Sequence, residues 1–188
     1  MSTPTIAGYT QRHVSPYSTK EKVGRMAWSF VQASVFRCSW PTWYEYRAWL
    51  LRRFRAKIGP NCRVRRTARI ACPWNLAMGP ESSIGESTRL YCLGQVTIGR
   101  RVTISQYAHI CAGSHDFSHP DMPLARPSIR IGDDAWIAAD AFVGPGVEVG
   151  EGALLGARGC AFKDLQPWSV YGGNPCKKVS VRTAKGLA

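Results

Sequence analysis

Four histidines occur in the 188 residues, at positions 13, 109, 115 and 119. His115 has the setting best suited to chemistry. It ends the run Cys111-Ala112-Gly113-Ser114-His115-Asp116, just ahead of a stretch that carries Pro120, Pro123 and Pro127. An imidazole titrates near neutral pH, so it can take a proton from an attacking hydroxyl and hand it on to a leaving group. Asp116 either orients that ring or simply starts the loop. Cys111 is a nucleophile by type, but no base is fixed beside it by spacing, and a packed thiol is the simpler reading. His109 and His119 lack the same combination of strand end and loop, although His119 and Asp116 sit where a substrate would meet the loop. His13 falls in a polar N-terminal tail.

The elements that position His115 are legible from an internal period. Stepping by six from Ile131 meets Ile137, Val143, Val149 and Leu155. The same step links Ile58, Val64, Ile70 and Leu76, then Ile84 and Leu90, then Ile98, Ile104 and Ile110. The next residue is often Gly or Ala (Gly59, Gly85, Gly99, Gly132, Gly144, Gly150), and a small residue recurs four positions on. Six matches neither the helical nor the strand period. It matches a short strand plus a corner, the aliphatic residue pointing into a narrow interior and the glycine relieving crowding at the bend. Three such sides close a triangular coil of about eighteen residues, and coils stack as parallel strands roughly 4.8 Å apart. The expected fold is an all-β solenoid.

Interruptions of the period mark irregular corners. The steps from Leu76 to Ile84 and from Leu90 to Ile98 each carry two extra residues. The step from Ile110 to Ile131 holds a longer excursion, 116–130, and long loops on rigid scaffolds commonly carry function. Side counting puts His115 at the end of a third side and Trp136 at the end of the first side of the next coil. They approach most readily from neighbouring subunits. The chain divides into a basic, partly helical segment over 1–57, the solenoid over 58–166 and a tail over 167–188.

Charge is uneven along the chain. The net charge is +13, and residues 1–70 hold fourteen Lys/Arg against Glu21 and Glu45 alone. Lys22–Arg37 and Trp43–Lys57 read as helices, and the second is both basic and aromatic. This segment (22–57) either adsorbs to an anionic membrane face or packs on the solenoid end with its arginines solvated. The seven cysteines (38, 62, 72, 92, 111, 160, 176) show no paired spacing, and the first twenty residues lack an apolar export core. Reduced thiols in the cytoplasm, with a peripheral position on the inner membrane face, are the expectation.

The motifs Thr103-Ile104-Ser105-Gln106, Gly113-Ser114-His115-Asp116, Ile131-Gly132-Asp133-Asp134-Ala135-Trp136-Ile137, Val143-Gly144-Pro145-Gly146-Val147 and Tyr171-Gly172-Gly173-Asn174-Pro175 resemble the hexapeptide-repeat acetyltransferases. The likeness is most specific to the colanic-acid-type exopolysaccharide branch, with galactoside, maltose and nodulation-factor acetyltransferases as cousins. It extends upstream through Trp43–Gly59 and Pro73-Trp74-Asn75-Leu76, and so covers nearly the whole chain beyond the first twenty residues. The resemblance implies a left-handed parallel β-helix with triangular coils, a homotrimer with sites between subunits, and acetyl-CoA as co-substrate with no metal. It implies direct O-acetylation of a carbohydrate hydroxyl with His115 as general base. Trp136 matches an aromatic residue beside the pantetheine arm. Ala139 and Ala157 match backbone positions that hold that arm, and Lys163 matches a cation near the CoA phosphates, with Arg182 a weaker match. One departure stands out: around Leu90-Tyr91-Cys92-Leu93 there are none of the Asn and Asp residues that orient the sugar in some family members.

Three other readings compete. A γ-type carbonic anhydrase needs three histidines around zinc, one well upstream of a close pair, and none lies between His13 and His109. A non-catalytic solenoid adaptor leaves the His115 loop without a purpose. Nucleic-acid binding by the basic N-terminus lacks an accompanying recognition fold.

Overall fold

The computed structural model describes residues 15–183, so His13 lies outside the described residues. Two helices precede the solenoid: α1 spans Thr19–Val31 and runs into a π-helical turn at Gln32–Phe36, and α2 spans Tyr44–Arg53. Nineteen short strands follow, mostly of two or three residues. The first face of the prism stacks β1 (Lys57–Ile58), β4 (Leu76–Met78), β7 (Val96–Ile98), β12 (Ile129–Ile131) and β15 (Glu148–Val149). The second stacks β2 (Arg63–Val64), β5 (Ser83–Ile84), β8 (Thr103–Ile104), β13 (Trp136–Ile137), β16 (Leu154–Leu155) and β18 (Ser169–Gly172), with β19 (Lys177–Val181) antiparallel at its end. The third stacks β3 (Arg69–Ile70), β6 (Arg89–Tyr91), β9 (His109–Cys111), β14 (Phe142–Val143) and β17 (Cys160–Ala161). Outside the stack, β10 (Ser114–His115) and β11 (Leu124–Ala125) form a small antiparallel hairpin. The fold is a left-handed parallel β-helix of about six turns.

The six-residue column is the core. Ile58, Val64, Ile70, Ile84, Leu90, Ile98, Ile104, Ile110, Ile131, Ile137, Val143, Val149 and Leu155 are all buried. The glycine after the aliphatic residue serves close approach. A Cβ on Gly85 would sit 2.5 Å from the Gln106 nitrogen one coil up, and a Cβ on Gly132 would sit 2.6 Å from that of Glu151. The left-handed backbone falls two residues later, at Asn61, Glu81, Arg101 and Asp134 on one corner and at Ser87, Tyr107, Asp140 and Arg158 on another.

Two sequence expectations need correction. The residue of β4 that continues the six-residue column is Met78 and not Leu76, because Met78 pairs in register with both Ile58 and Ile98, while Leu76, buried as well, pairs with Val96. The extra residues therefore precede Leu76, in a 3-10 turn at Pro73–Asn75. The lower coils also hold twenty residues, Lys57 pairing with Ala77 and Ala77 with Thr97; the expected eighteen appears in the upper coils, from Arg130 to Glu148, Trp136 to Leu154 and Phe142 to Cys160. In two successive coils the surplus lies at one corner, where the third face turns into the first. Asn75 secures that corner, its side-chain amide donating to the Cys92 and Leu93 carbonyls at 3.1 and 2.8 Å. The long excursion leaves from the same corner one coil higher.

The bottom coil exposes the carbonyls of three edge strands, which left free would template pairing with other chains. The N-terminal helices cap all three. Trp28 Nε1 donates to the Ile70 carbonyl at 2.6 Å, Arg47 Nε to that of Val64 at 2.6 Å, and Arg52 Nε to that of Ile58 at 3.0 Å. Arg47 is fully buried and spends its other guanidinium nitrogens on Ser39 Oγ and on the Trp40 and Pro41 carbonyls. The packing reading of this segment is thus realised, but Arg47 caps a strand and is not solvated.

Candidate active site

His115 is carried by the β10–β11 hairpin that opens the excursion, in which Ser114 pairs with Ala125 and His115 with Leu124. Gly113 lets the chain leave the prism here, since a Cβ would lie 2.9 Å from the Tyr91 ring. On the return limb, a Cβ at Gly94 would overlap the backbone of Arg126 and Pro127. Arg126 also forms a 3.1 Å ion pair with Glu21 in the first turn of α1. The hairpin is therefore pinned at both limbs, which favours a fixed catalytic geometry over a loose flap.

The imidazole itself is exposed, with Nδ1 2.6 Å from the Met122 carbonyl oxygen. A carbonyl only accepts, so Nδ1 carries the proton in the neutral ring and Nε2 keeps a free lone pair. Met122 itself lies in the left-handed region, with φ +43°, a conformation that a non-glycine residue holds only when its surroundings impose it.

The structure assigns Asp116 to the loop. Its carboxylate accepts from the Ser118 backbone at 3.0 Å and from the Ser118 hydroxyl at 2.5 Å, and these bonds hold its pKa below the usual value. Among the described residues its carboxylate makes no hydrogen bond to the His115 ring. His119 is exposed, and its Nδ1 accepts from the Asp121 amide at 3.2 Å. Cys111 is half-buried, and burial pushes its thiol pKa up, away from a thiolate nucleophile.

Trp136 opens the second-face strand β13, one side beyond the position that side counting gave it. Its indole donates to Ser105 Oγ at 2.9 Å and leaves the ring 41% exposed. Ala139 and Ala157 stack at the corner between the second and third faces, where the Ala139 carbonyl accepts from the Arg158 amide at 2.9 Å. Lys163 is exposed beyond β17, at the corner leading back to the first face. Arg182 is largely committed, one nitrogen donating to the Asp134 and Gly152 carbonyls at 2.8 and 3.0 Å. Within one subunit the His115 hairpin and the Trp136 face thus lie on different sides of the prism. Sequence reasoning missed Met122 and Ser105, because neither a backbone carbonyl nor a serine hydroxyl announces its partner. Among the described residues, no three His, Cys, Asp or Glu side chains are grouped so as to hold a metal ion.

A left-handed β-helix with a histidine hairpin at one widened corner defines a hexapeptide-repeat protein of the acyltransferase class. No family model matches the chain. Over 155 residues it is 41% identical to the protein of Escherichia coli K12 assigned to colanic acid biosynthesis as the acetyltransferase WcaF, covering 82% of this chain and 85% of that one. The chain belongs to this family of hexapeptide-repeat acetyltransferases. Two solved structures share the fold. The maltose O-acetyltransferase of Clostridium difficile 630 superposes with a TM-score of 0.80 at 20% identity, over 89% of this chain and 90% of that one. The hexapeptide-repeat acetyltransferase VCA0836 of Vibrio cholerae, solved with acetyl-CoA, superposes with a TM-score of 0.81 at 18% identity, over 92% and 94%.

Proposed function

We propose that this acyltransferase moves the acetyl group of acetyl-CoA directly to a sugar hydroxyl during exopolysaccharide or related glycan synthesis. The observation that carries the mechanism is the bond from His115 to the Met122 carbonyl, which leaves Nε2 as the base. In this reading the acceptor O–H gives its proton to Nε2 as its oxygen attacks the thioester carbonyl. The tetrahedral intermediate collapses, the C–S bond breaks, and the CoA thiolate takes the proton back from the imidazolium. The raised thiol pKa of Cys111 supports transfer without an acyl-enzyme.

Acetyl-CoA is the donor by family, and the V. cholerae relative was solved with that molecule. Trp136 flanks the pantetheine arm, the Ala139 and Ala157 backbones hold its amides, and Lys163 meets the phosphates. Arg182 is the weaker phosphate partner, since carbonyls already occupy one of its nitrogens. A homotrimer would bring His115 of one subunit to the Trp136 face of the next, which answers their separation within one chain.

The protein works at the cytoplasmic face of the membrane in this reading. Val23, Met26 and Phe30, spaced three and four apart on α1, point outward at 55, 69 and 75% exposure, and Trp40, Trp43 and Trp49 further along the segment are exposed as well. Basic residues accompany this apolar stripe, a combination suited to an anionic lipid surface. No helix among the described residues is long and apolar enough to cross a membrane.

The deciding experiment supplies labelled acetyl-CoA with candidate glycans and lipid-linked intermediates. Transfer should fall about a hundredfold or more in His115→Ala, with the oligomer intact. Near-normal turnover in that variant would remove His115 from the role.

A further inference from the structure

The outward residues of the third face form two chemically distinct halves. In register from the bottom coil upward they are Arg69, Arg89, His109, Phe142 and Cys160. The lower two rungs each carry a positive charge, His109 above them is titratable, and the upper two carry no charge. Parallel rungs lie about 4.8 Å apart, and like charges facing one another across strands destabilise a sheet. Arg37 and Arg66 extend the cluster around the base of the same face, lining one hollow with Arg69. Among the described residues none of these four arginines meets a carboxylate within ion-pair distance. Asp140, which lines one hollow with Arg69 and Arg89, has its carboxylate 3.2 Å from Arg158. His109 registers the unbalanced charge, since burial first and Arg89 second lower its pKa.

This face is hollow as well as basic. Two adjoining hollows of about 430 and 440 Å³ share Arg69, Arg89 and His109 in their walls, and that size is in the range of ligand clefts. The second of them reaches Tyr91 and Cys111. The Tyr91 ring lies directly under Gly113, at the foot of the hairpin that carries His115. The groove thus runs from Arg69 and Arg89 near the helical base of the prism to Tyr91 at the root of the catalytic hairpin. A groove with an excess of one sign of charge concentrates ligands of the other sign, and arginine forks match carboxylate and phosphate oxygens.

We infer that the lower third face binds an anionic acceptor, with Arg69 and Arg89 meeting its acidic groups while the hydroxyl to be acetylated reaches His115. Orientation of the acceptor falls to these arginines, since the side-chain amide of Asn75 is engaged by the Cys92 and Leu93 carbonyls. The placement of the acceptor hydroxyl rests on the acetyl-transfer reading, whereas the anion site does not. Sugar carboxylates and the diphosphate of a carrier-linked sugar share the chemistry.

The test uses the full chain and three probes: trigalacturonate, inorganic pyrophosphate and neutral maltotriose. Titration calorimetry is run on the native protein and on Arg69→Gln/Arg89→Gln, whose altered side chains point outward and leave the core untouched. One or both anions should bind more tightly than maltotriose, with an affinity that falls as salt rises and drops about tenfold or more in the double variant. Trigalacturonate alone would assign sugar carboxylates, and pyrophosphate alone a phosphorylated carrier. The inference is overturned if neither anion outbinds maltotriose. It is equally overturned if the double variant binds anions like the native protein, or if that variant dissociates the oligomer with anion affinity unchanged. Acetyl-CoA titrated in parallel separates the two readings. Failure to bind it would sink the proposed function, while an arginine-dependent anion site would stand.

Discussion

The Nδ1 atom of His115 lies 2.6 Å from the carbonyl oxygen of Met122, seven residues further along the same hairpin. A backbone acceptor here does the work that a carboxylate does in many histidine-based sites: it fixes the tautomer and the direction of the free nitrogen. It adds no negative charge beside the ring. The tautomer of His115 is therefore set by loop geometry, and in the proposed mechanism residues that hold that geometry should matter more than neighbouring acids.

Asp116→Asn should keep transfer within about threefold of native, because an asparagine oxygen can still accept from Ser118 and preserve the turn. Steady-state kinetics on the variant checks this. A loss on the scale expected of His115→Ala would show that the Asp116 carboxylate acts on the imidazole after all.

Trp136→Ala should raise the KM for acetyl-CoA about tenfold and change kcat far less, as removal of an aromatic wall weakens binding. Ser105→Ala, which only releases the indole N–H, should raise it by a smaller factor. If both variants leave KM unaltered, Trp136 does not flank the donor.

Arg47→Ala should destabilise the fold by about 3 kcal/mol or more, since it strands the Val64, Trp40 and Pro41 carbonyls and opens a cavity under the bottom coil. Chemical denaturation measures this. Substitution of the exposed Arg53 on the same helix should shift stability by no more than about 0.5 kcal/mol.

His109 makes stability depend on pH in a stated direction. Its folded pKa lies below the ordinary histidine value of about 6.5, so the unfolded chain binds more protons through the window beneath that value. Its contribution is complete above about pH 6.5 and is lost as pH falls toward the folded pKa. Arg89→Gln should raise the His109 pKa, read by NMR titration of the imidazole. No upward movement would mean that Arg89 is screened from the ring.

Much of the fold was legible because a six-residue period has few physical solutions. Burial of Ile131, Ile137, Val143, Val149 and Leu155 follows from their spacing. The slip at Leu76 shows where that logic ends. Leu76 and Met78 are both apolar, both buried and two residues apart, so a strand's own alternation cannot choose between them. The choice came from pairing with Ile58 and Ile98, residues on other coils.

For function, the sequence by itself determined the solenoid, the candidate base His115, the excursion beyond it and the kinship with acetyltransferases. Those follow from residue type and spacing along one dimension. The tertiary structure decided which nitrogen of His115 is free, that Asp116 serves its own turn, that Arg47 and Arg52 seal an edge, and that Arg69, Arg89 and His109 form one ladder. Each of these depends on which backbone carbonyl or side chain arrives from another coil. Residues twenty positions apart become neighbours only when the chain has closed a full turn.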